Sequence, residues 1–296
     1  MRLRIIIVAV TVLAAATTAA GCGNAATSGS RLGVVAAENV YGDIASQIGG
    51  DHVEVTSLLT SPTADPHLYE PGTRNGLEVA QAKLVIQNGL GYDAFMTRLE
   101  QAAPSSSRRV LVIADVVGIH GKEANPHFWY DVPQLPHIAR AIASALTAAD
   151  PSHASAYRAG ATRFIHSLAP LQREVASIRA HDRGRPVAYT EPVPGYLLRA
   201  AGLRNLSSES FARALEEGTE PSPQAVDAMT SLLAKHKIGV LLYNSQAVSP
   251  LTSRIESAAA AAGIPVVPVT ETLPPHLSFQ AWQLGEARAL AHALSA

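Results

Sequence analysis

The stretch PSHASAYRAGATRFIHSLAPLQREVASIRA, residues 151–180, lies near the middle of the chain and contains no cluster of turn residues. Its apolar side chains recur at the spacing of one helix face, which predicts a single long helix. Pro170 would kink this helix unless the helix is interrupted there. A long helix at this position would form a stiff connection between two folded halves. The pattern leaves one alternative open, namely two ordinary helices within one domain.

On both sides of this stretch, short runs rich in β-branched residues alternate with alanine-rich runs of helical period. This alternation is typical of βαβ units and of a largely parallel sheet. The predicted strands are Leu32–Ala36, Val53–Leu59, Leu84–Gln87, Val110–Ile113, Pro186–Tyr189, Ile238–Tyr243 and Pro265–Val269. Helices are predicted in the gaps of the first half and near Pro194–Ala201, Pro223–Lys237, Pro250–Ala262 and Phe279–Leu294.

We therefore predict an α/β fold of two α/β lobes with parallel sheets, joined by a single long backbone helix. The N-terminal lobe is predicted over residues 31–148, the linker helix over 149–183 and the C-terminal lobe over 184–296. The chain after the tether, residues 31–296, is long for one hydrophobic core and comfortable for two lobes.

The first residues indicate export from the cytoplasm. Two arginines precede an apolar run over residues 5–20, which predicts a secretory signal peptide over residues 1–21. The small residues before Cys22 resemble a bacterial lipobox, with Ala19 in place of the usual leucine, and predict a lipid anchor on Cys22. An ordinary signal peptide with a chance cysteine is the alternative. Residues 22–30 are rich in small and polar side chains and predict a flexible tether.

Composition excludes several classes of function and of site. The net charge is −1 and the sequence has no basic patch, so nucleic acid is not an expected partner. Cys22 is the only cysteine, so neither a disulfide framework nor a thiolate metal site is available. No second apolar span follows the signal segment, which predicts a mature chain that is soluble apart from its anchor.

Two segments share a Pro-His-x-aromatic core at places where predicted strands have ended. The first is DPHLYEP, residues 65–71, and the second is NPHFWYD, residues 125–131. Ligands of open parallel sheets bind beyond the carboxyl ends of strands, so both histidines are placed for binding. The proline fixes the backbone approach, and the aromatic residue two positions later can shield a neutral, metal-binding imidazole. The shared motif therefore favours His67 and His127 as metal ligands.

Two carboxylates also follow predicted strands. Glu191 stands in Thr-Glu-Pro after the strand that ends at Tyr189, and Glu271 stands in Thr-Glu-Thr after the strand that ends at Val269. Together with the two histidines they would give a nitrogen and oxygen set that suits zinc, manganese or iron. An equally good interpretation is that each glutamate is a carboxylate at the start of a helix and does not bind metal.

The two histidine segments resemble the histidine signatures of the cluster A-I metal-binding proteins of ABC importers. Residues 189–202, YTEPVPGYLLRAAG, are similar to the segment that carries the third ligand of that family. The resemblance implies His67, His127, Glu191 and Glu271 as ligands, although the family usually has aspartate at the last position. At the third ligand position of that family, zinc-type members tend to have histidine and manganese-type members glutamate. This chain has Glu191 there. His120, in the short loop where many zinc-specific members carry many histidines, is expected to face solvent.

The resemblance implies a function as well as a fold. We expect an extracytoplasmic, membrane-anchored lipoprotein, a monomer, that captures Zn²⁺ or Mn²⁺ as cargo between its lobes and delivers it to an ABC permease driven by a separate ATPase. The alternatives are a secreted zinc metallohydrolase, a surface adhesin of the same fold and a binder of an organic metal chelate. An enzyme is not expected, because the sequence contains no His-Glu-x-x-His, Gly-x-Ser-x-Gly or phosphate-binding-loop motif.

Overall fold

Two parallel sheets form the framework of the computed structural model, which describes residues 31–121 and 123–296. The first sheet has the strand order β2-β1-β3-β4, and the second has the order β6-β5-β7-β8. The first contains β1 (Leu32–Glu38), β2 (Val53–Leu59), β3 (Leu84–Gln87) and β4 (Arg109–Val112). The second contains β5 (Pro186–Tyr189), β6 (Arg204–Asn205), β7 (Leu241–Asn244) and β8 (Val266–Val269). All neighbouring strands pair in parallel, which confirms the predicted α/β class.

The signal segment over residues 1–21, Cys22 and the tether over residues 22–30 lie outside the described residues. Among the described helices, none combines the length and the apolarity that a membrane crossing requires.

Helices cover the faces of both sheets, as parallel strands require. In the first half they are α1 (Asn39–Gly49), α2 (Thr73–Gln81), α3 (Ala94–Ala102), α4 (Ile113–Val117) and α5 (Leu135–Ala149). In the second half they are α8 (Gly195–Ala200), α9 (Glu209–Glu216), α10 (Pro223–Ala234), α11 (Pro250–Ala261) and α12 (Phe279–Ser295). Prolines occupy the first turns of α10 and α11, where a missing N–H costs no helical hydrogen bond.

The connection between the halves is helical and has one interruption. It consists of α6 (Ala154–Ser167) and α7 (Ala169–Asp182), and only Leu168 separates them. Leu168 keeps nearly helical angles, with φ −75° and ψ −11°, so the chain direction is largely preserved. The break lies two residues before Pro170, in the first turn of α7. The proline ring nitrogen has no hydrogen to donate to the preceding turn. The predicted long helix is therefore present, with the interruption that its proline requires.

This connecting helix is held along its length by both halves. Its α6 segment packs against α1 and α5, and its α7 segment packs against α12. The packing face is apolar, with Tyr157, Phe164, Leu171, Val175 and Ile178 buried. A helix fixed at both ends in this way resists wide hinge motion of one sheet relative to the other.

Two elements of the second half were not predicted. The short edge strand β6 and the helix α9 lie within residues 203–222, where no strand or helix was expected. In addition, the strand predicted from Ile238 begins only at Leu241, because the chain bends at Gly239. That strand continues to Asn244, one residue beyond the predicted end.

Candidate metal centre

Loops at the carboxyl ends of strands bring side chains of the two halves together. His67 follows β2, His127 follows β4 and α4, and Glu271 follows β8. The potential ligand atoms of these three residues all lie within 4.8 Å of one another. Two of these three residues therefore follow strands of the first sheet, and one follows a strand of the second.

His67 is held in a short 3₁₀ turn, Pro66–Leu68. The Asp65 side chain caps this turn by accepting a hydrogen bond from the His67 backbone N–H at 2.8 Å. The His67 Nε2 atom lies 3.5 Å from Glu271 Oε2, and a fifth of the side chain is exposed, 20%. His67 also lines a cleft of about 610 Å³, and its side chain is more exposed than those of His127, Glu191 and Glu271.

His127 is fully buried and firmly oriented. Asn125 Oδ1 lies 2.9 Å from the His127 backbone nitrogen and 2.7 Å from its ring Nδ1. The Asn125 amide nitrogen donates to the carbonyl oxygen of Pro192 at 2.7 Å, which fixes the amide orientation. Nδ1 therefore donates to Asn125, and Nε2 faces Glu271 Oε2 at 3.1 Å. This is the outer support that metal-binding histidines usually have.

Aromatic rings pack against the two imidazoles, but only one of these rings belongs to the residue that the motif predicts. The Trp129 ring meets the His127 ring edge-on at 5.3 Å between centroids, as expected for the aromatic two positions after the histidine. At His67 the neighbouring ring is Tyr92, at 5.4 Å. The predicted shield Tyr69 packs against Phe95 instead.

Glu271 is the carboxylate at the centre of the cluster and is fully buried. Its Oε2 accepts a hydrogen bond from the Tyr92 hydroxyl at 2.9 Å. Burial alone would raise the pKa of Glu271, but the hydrogen bond with His127 and the nearby imidazole of His67 outweigh burial and hold the pKa well below its usual range. The carboxylate is therefore ionised, which is the form that binds a cation.

Glu191 approaches the cluster from the second sheet but is not one of the three tightly grouped residues. It is 2% exposed and lies directly after β5. The amide nitrogen of Asn244 donates to Glu191 Oε2 at 2.5 Å and to Glu271 Oε1 at 2.7 Å, so one amide joins the two carboxylates. Burial, and then repulsion by Glu271, raise the pKa of Glu191 to about 8. A cation placed between the carboxylates would relieve this repulsion.

Four polar residues at the cluster escaped prediction. Tyr92 follows β3, Asn244 ends β7, and Gln246 comes two residues later. Glu216, at the end of the unpredicted helix α9, lies 3.8 Å from His127 Nδ1. The rule that ligands bind beyond carboxyl strand ends points to the loops after β3 and β7 as well, and would have identified the first three.

His120 lies away from the cluster. Its side chain is 69% exposed and lies 3.9 Å from Asp115 on the same surface. The prediction that it faces solvent is confirmed.

Known proteins resemble this chain over most of its length. It is 26% identical over 255 residues to the manganese-binding lipoprotein MntA of Bacillus subtilis, covering 80% of each chain. It is also 26% identical over 232 residues to the iron-binding protein YfeA of Yersinia pestis, covering 75% of this chain and 72% of that one.

Solved structures share the fold. The Pseudomonas aeruginosa protein FpvC in complex with Mn²⁺ superposes with a TM-score of 0.75 at 21% identity, covering 90% of this chain and 98% of the other. The Mn-bound periplasmic metal-binding protein of Candidatus Liberibacter asiaticus gives a TM-score of 0.72 at 20% identity, covering 88% and 98%. The model of the family described as ZnuA, zinc-uptake complex component A, periplasmic, matches residues 34–293, and the chain belongs to this family.

Proposed function

We propose that this protein captures a divalent transition metal, zinc or manganese, outside the cytoplasm and delivers it to the permease of an ABC importer. The observation that carries the proposal is the convergence of His67, His127 and Glu271 within 4.8 Å at the meeting edge of the two sheets. Membership of a family of periplasmic uptake components supports the transport role.

The proposed ligands are His67, His127, Glu191 and Glu271, two imidazoles and two carboxylates. Such a set of nitrogen and oxygen donors suits zinc and manganese. Two ionised carboxylates would offset the charge of the ion. The first two ligands belong to the first half of the chain and the last two to the second half, so a bound ion would join the halves.

The connecting helix limits how the protein responds to the ion. Because α6 and α7 are packed against both halves, we expect small adjustments of the ligand loops and not a wide closure of the cleft. His67, at the exposed edge of the cleft, would be the first protein ligand that an incoming ion meets. The loaded shape would then be recognised by the permease, while a separate ATPase drives transport.

Attachment to the membrane through a lipid on Cys22 and a monomeric state remain part of this proposal. Lipoprotein relatives such as the Bacillus protein support the anchor. We also propose that the chain binds its metal without catalysis. Four protein donors around the ion would leave no open position of the kind that catalytic zinc sites reserve for water.

Metal content tests the proposal. The chain from residue 31, purified without chelator, should contain about one equivalent of zinc or manganese by elemental analysis, as expected for one four-ligand site. The His67→Ala, His127→Ala double variant should contain none. The matched control is a His120→Ala, His181→Ala double variant, which removes two exposed histidines outside the cluster and should keep the metal.

Each result has a clear meaning. Metal in the parent and the control, with none in the ligand variant, supports the site. Absence of metal from the parent, together with no thermal shift on adding Zn²⁺ or Mn²⁺, would refute it.

A further inference from the structure

Asn244 holds the two acidic groups of the candidate centre with a single side chain. It is 1% exposed, at the last position of β7, and was not among the predicted site residues. Its Nδ2 atom carries two hydrogens, and the carboxylates of Glu191 and Glu271 accept one each, at 2.5 Å and 2.7 Å. The donor capacity of this amide is therefore fully used by the two carboxylates.

The orientation of this amide is determined by its surroundings. Asn244 Oδ1 accepts a hydrogen bond from the backbone N–H of Gln246 at 3.1 Å. A flipped amide would place its oxygen against two carboxylates and its nitrogen against an N–H, which removes three hydrogen bonds. The Asn244 backbone is fixed as well, because its N–H donates to Thr190 Oγ1 at 3.1 Å.

Asn244 binds one oxygen of each carboxylate, and on Glu271 the other oxygen, Oε2, also accepts a hydrogen bond from the Tyr92 hydroxyl at 2.9 Å. On Glu271, Oε1 binds Asn244, while Oε2 faces His67 Nε2 at 3.5 Å and His127 Nε2 at 3.1 Å. On Glu191, Oε2 is the oxygen that accepts the hydrogen bond from Asn244. A carboxylate oxygen keeps a lone pair beside one hydrogen bond, so the effect of Asn244 is on orientation. The amide turns Glu271 Oε1 toward itself and leaves Oε2 as the oxygen that faces the two imidazoles.

We propose that Asn244 is a specificity-determining residue that restricts Glu191 and Glu271 to one metal-binding oxygen each. This inference rests on the proposed function. Two imidazole nitrogens and two carboxylate oxygens then make four donors, an arrangement that Zn²⁺ accepts readily as a tetrahedron. Mn²⁺ prefers more oxygen donors and an octahedral set, which the same side chains could supply only if both carboxylates bound through both oxygens. Asn244 thereby disfavours manganese relative to zinc.

The test compares the affinities of the parent and of Asn244→Ala for Zn²⁺ and for Mn²⁺, measured by competition with a chelator. Loss of the amide frees both carboxylates, and the ratio of the two affinities should shift toward manganese by about tenfold, the lower end of the effect of outer partners on metal sites. The visible absorption of the Co²⁺-loaded protein should weaken in the variant, because four-coordinate cobalt absorbs more strongly than six-coordinate cobalt.

Thr190→Val is the matched control. It removes the hydroxyl that accepts the Asn244 backbone N–H and leaves the amide on both carboxylates. We expect it to lower the thermal stability without changing the ratio of affinities or the cobalt spectrum. A shift of the same size in this control would overturn the inference, since general loosening of the loop would then explain the result.

The parent alone provides a measurement that does not depend on folding of a variant. X-ray absorption of the Zn²⁺-loaded parent should give four nitrogen or oxygen neighbours, as the inference requires. Six neighbours, or an unchanged ratio of affinities in a folded Asn244→Ala, would overturn the role of Asn244 while leaving the proposed function intact. A parent that binds neither metal would instead refute the proposed function.

Discussion

The Tyr130 hydroxyl lies 2.5 Å from Glu286 Oε2 and 2.6 Å from the carbonyl oxygen of Thr270. A phenol has one hydrogen to donate, so it cannot serve two acceptors at once. Both contacts are hydrogen bonds, joined in one chain, if a protonated Glu286 donates to the Tyr130 hydroxyl and this hydroxyl donates to the carbonyl oxygen of Thr270. Burial raises the pKa of Glu286 to about 7, against the opposing effect of its hydrogen bonds with Tyr130 and Trp282. This chain links the segment after His127 to the segment that carries Glu271.

Glu286→Gln should stabilise the metal-free protein at alkaline pH. The folded-state pKa of about 7 is above the ordinary value of 4.5, so stability from this group is complete below about pH 4.5 and is lost as the pH rises through 7. The loss amounts to about 3 kcal/mol at 1.36 kcal/mol per pKa unit. Glutamine resembles the protonated acid and escapes this loss. Thermal melts should show the variant several degrees more stable than the parent at pH 8 and nearly equal at pH 5.

Glu54→Gln is the control for this prediction, since the Glu54 side chain is 67% exposed on β2. Its effect on stability should be small at both pH values. Equal melting temperatures of the parent and Glu286→Gln at pH 8 would contradict an ionisation cost at this position.

Metal affinity should fall as the pH falls. Burial alone would lower the pKa of His67, but the Glu271 carboxylate, whose Oε2 lies 3.5 Å from Nε2, outweighs burial and raises the pKa to about 9. Below that pH a metal must displace a proton from His67, and above it His67 is already deprotonated, so no proton has to be displaced. For each proton that the metal must displace, the metal affinity falls about tenfold for every unit by which the pH is lowered. Chelator competition at pH 6, 7 and 8 should therefore show a decline of about 100-fold or more toward pH 6.

The same titration in His120→Ala should have the same slope, because His120 is exposed and is not one of the three grouped residues. An affinity for metal that is equal at pH 6 and pH 8 in the parent is the result that would argue against ligation by His67.

The sequence predicted those parts of the molecule that repeat or that depend on local pattern. Strands with near-continuous apolar runs, such as β1 and β3, were located within a few residues, because burial on both faces leaves a simple signature. The repeated Pro-His core placed His67 and His127. Asn244 was missed although it ends β7, where the strand-end rule points. Nothing in its neighbours along the chain indicates that the carboxylates of Glu191 and Glu271 converge on its amide.

Gly160→Ala should destabilise the packing of the connecting helix. Gly160 lies where α6 crosses α1, and a Cβ at this position would collide with the carbonyl oxygen of Ile48. Because the obstacle is backbone, one of the helices must move, and overpacking of this kind costs about 1–3 kcal/mol. Urea unfolding would measure the loss. The matched substitution is Gly285→Ala, in α12 with open space around the new methyl group, and it should instead stabilise the protein by about 0.5–1 kcal/mol. A similar loss of stability in both variants would contradict the close approach of Gly160 to the backbone of Ile48.

Gln246 joins the loop before the first histidine turn to the segment that carries Glu271. Its Oε1 accepts hydrogen bonds from the backbone N–H groups of Glu271 at 2.6 Å and Thr272 at 3.1 Å. Its Nε2 donates to the carbonyl oxygens of Ser61 and Ala64, each at 3.2 Å. Gln246→Ala would leave two buried N–H groups without partners, at about 1–3 kcal/mol each. We expect a fall in melting temperature and about tenfold weaker metal binding, because both ligand segments lose a fixed position.

Gln280→Ala separates this effect from the general loss of an amide. Gln280 also links the two halves, through hydrogen bonds to Gln47 and Ser167, but it is partly exposed and neither partner is a proposed ligand. Water can replace its partners, so stability should fall little and metal affinity should not change. If both variants weaken metal binding equally, then contact between the halves in general, and not the placement of Glu271 by Gln246, controls affinity.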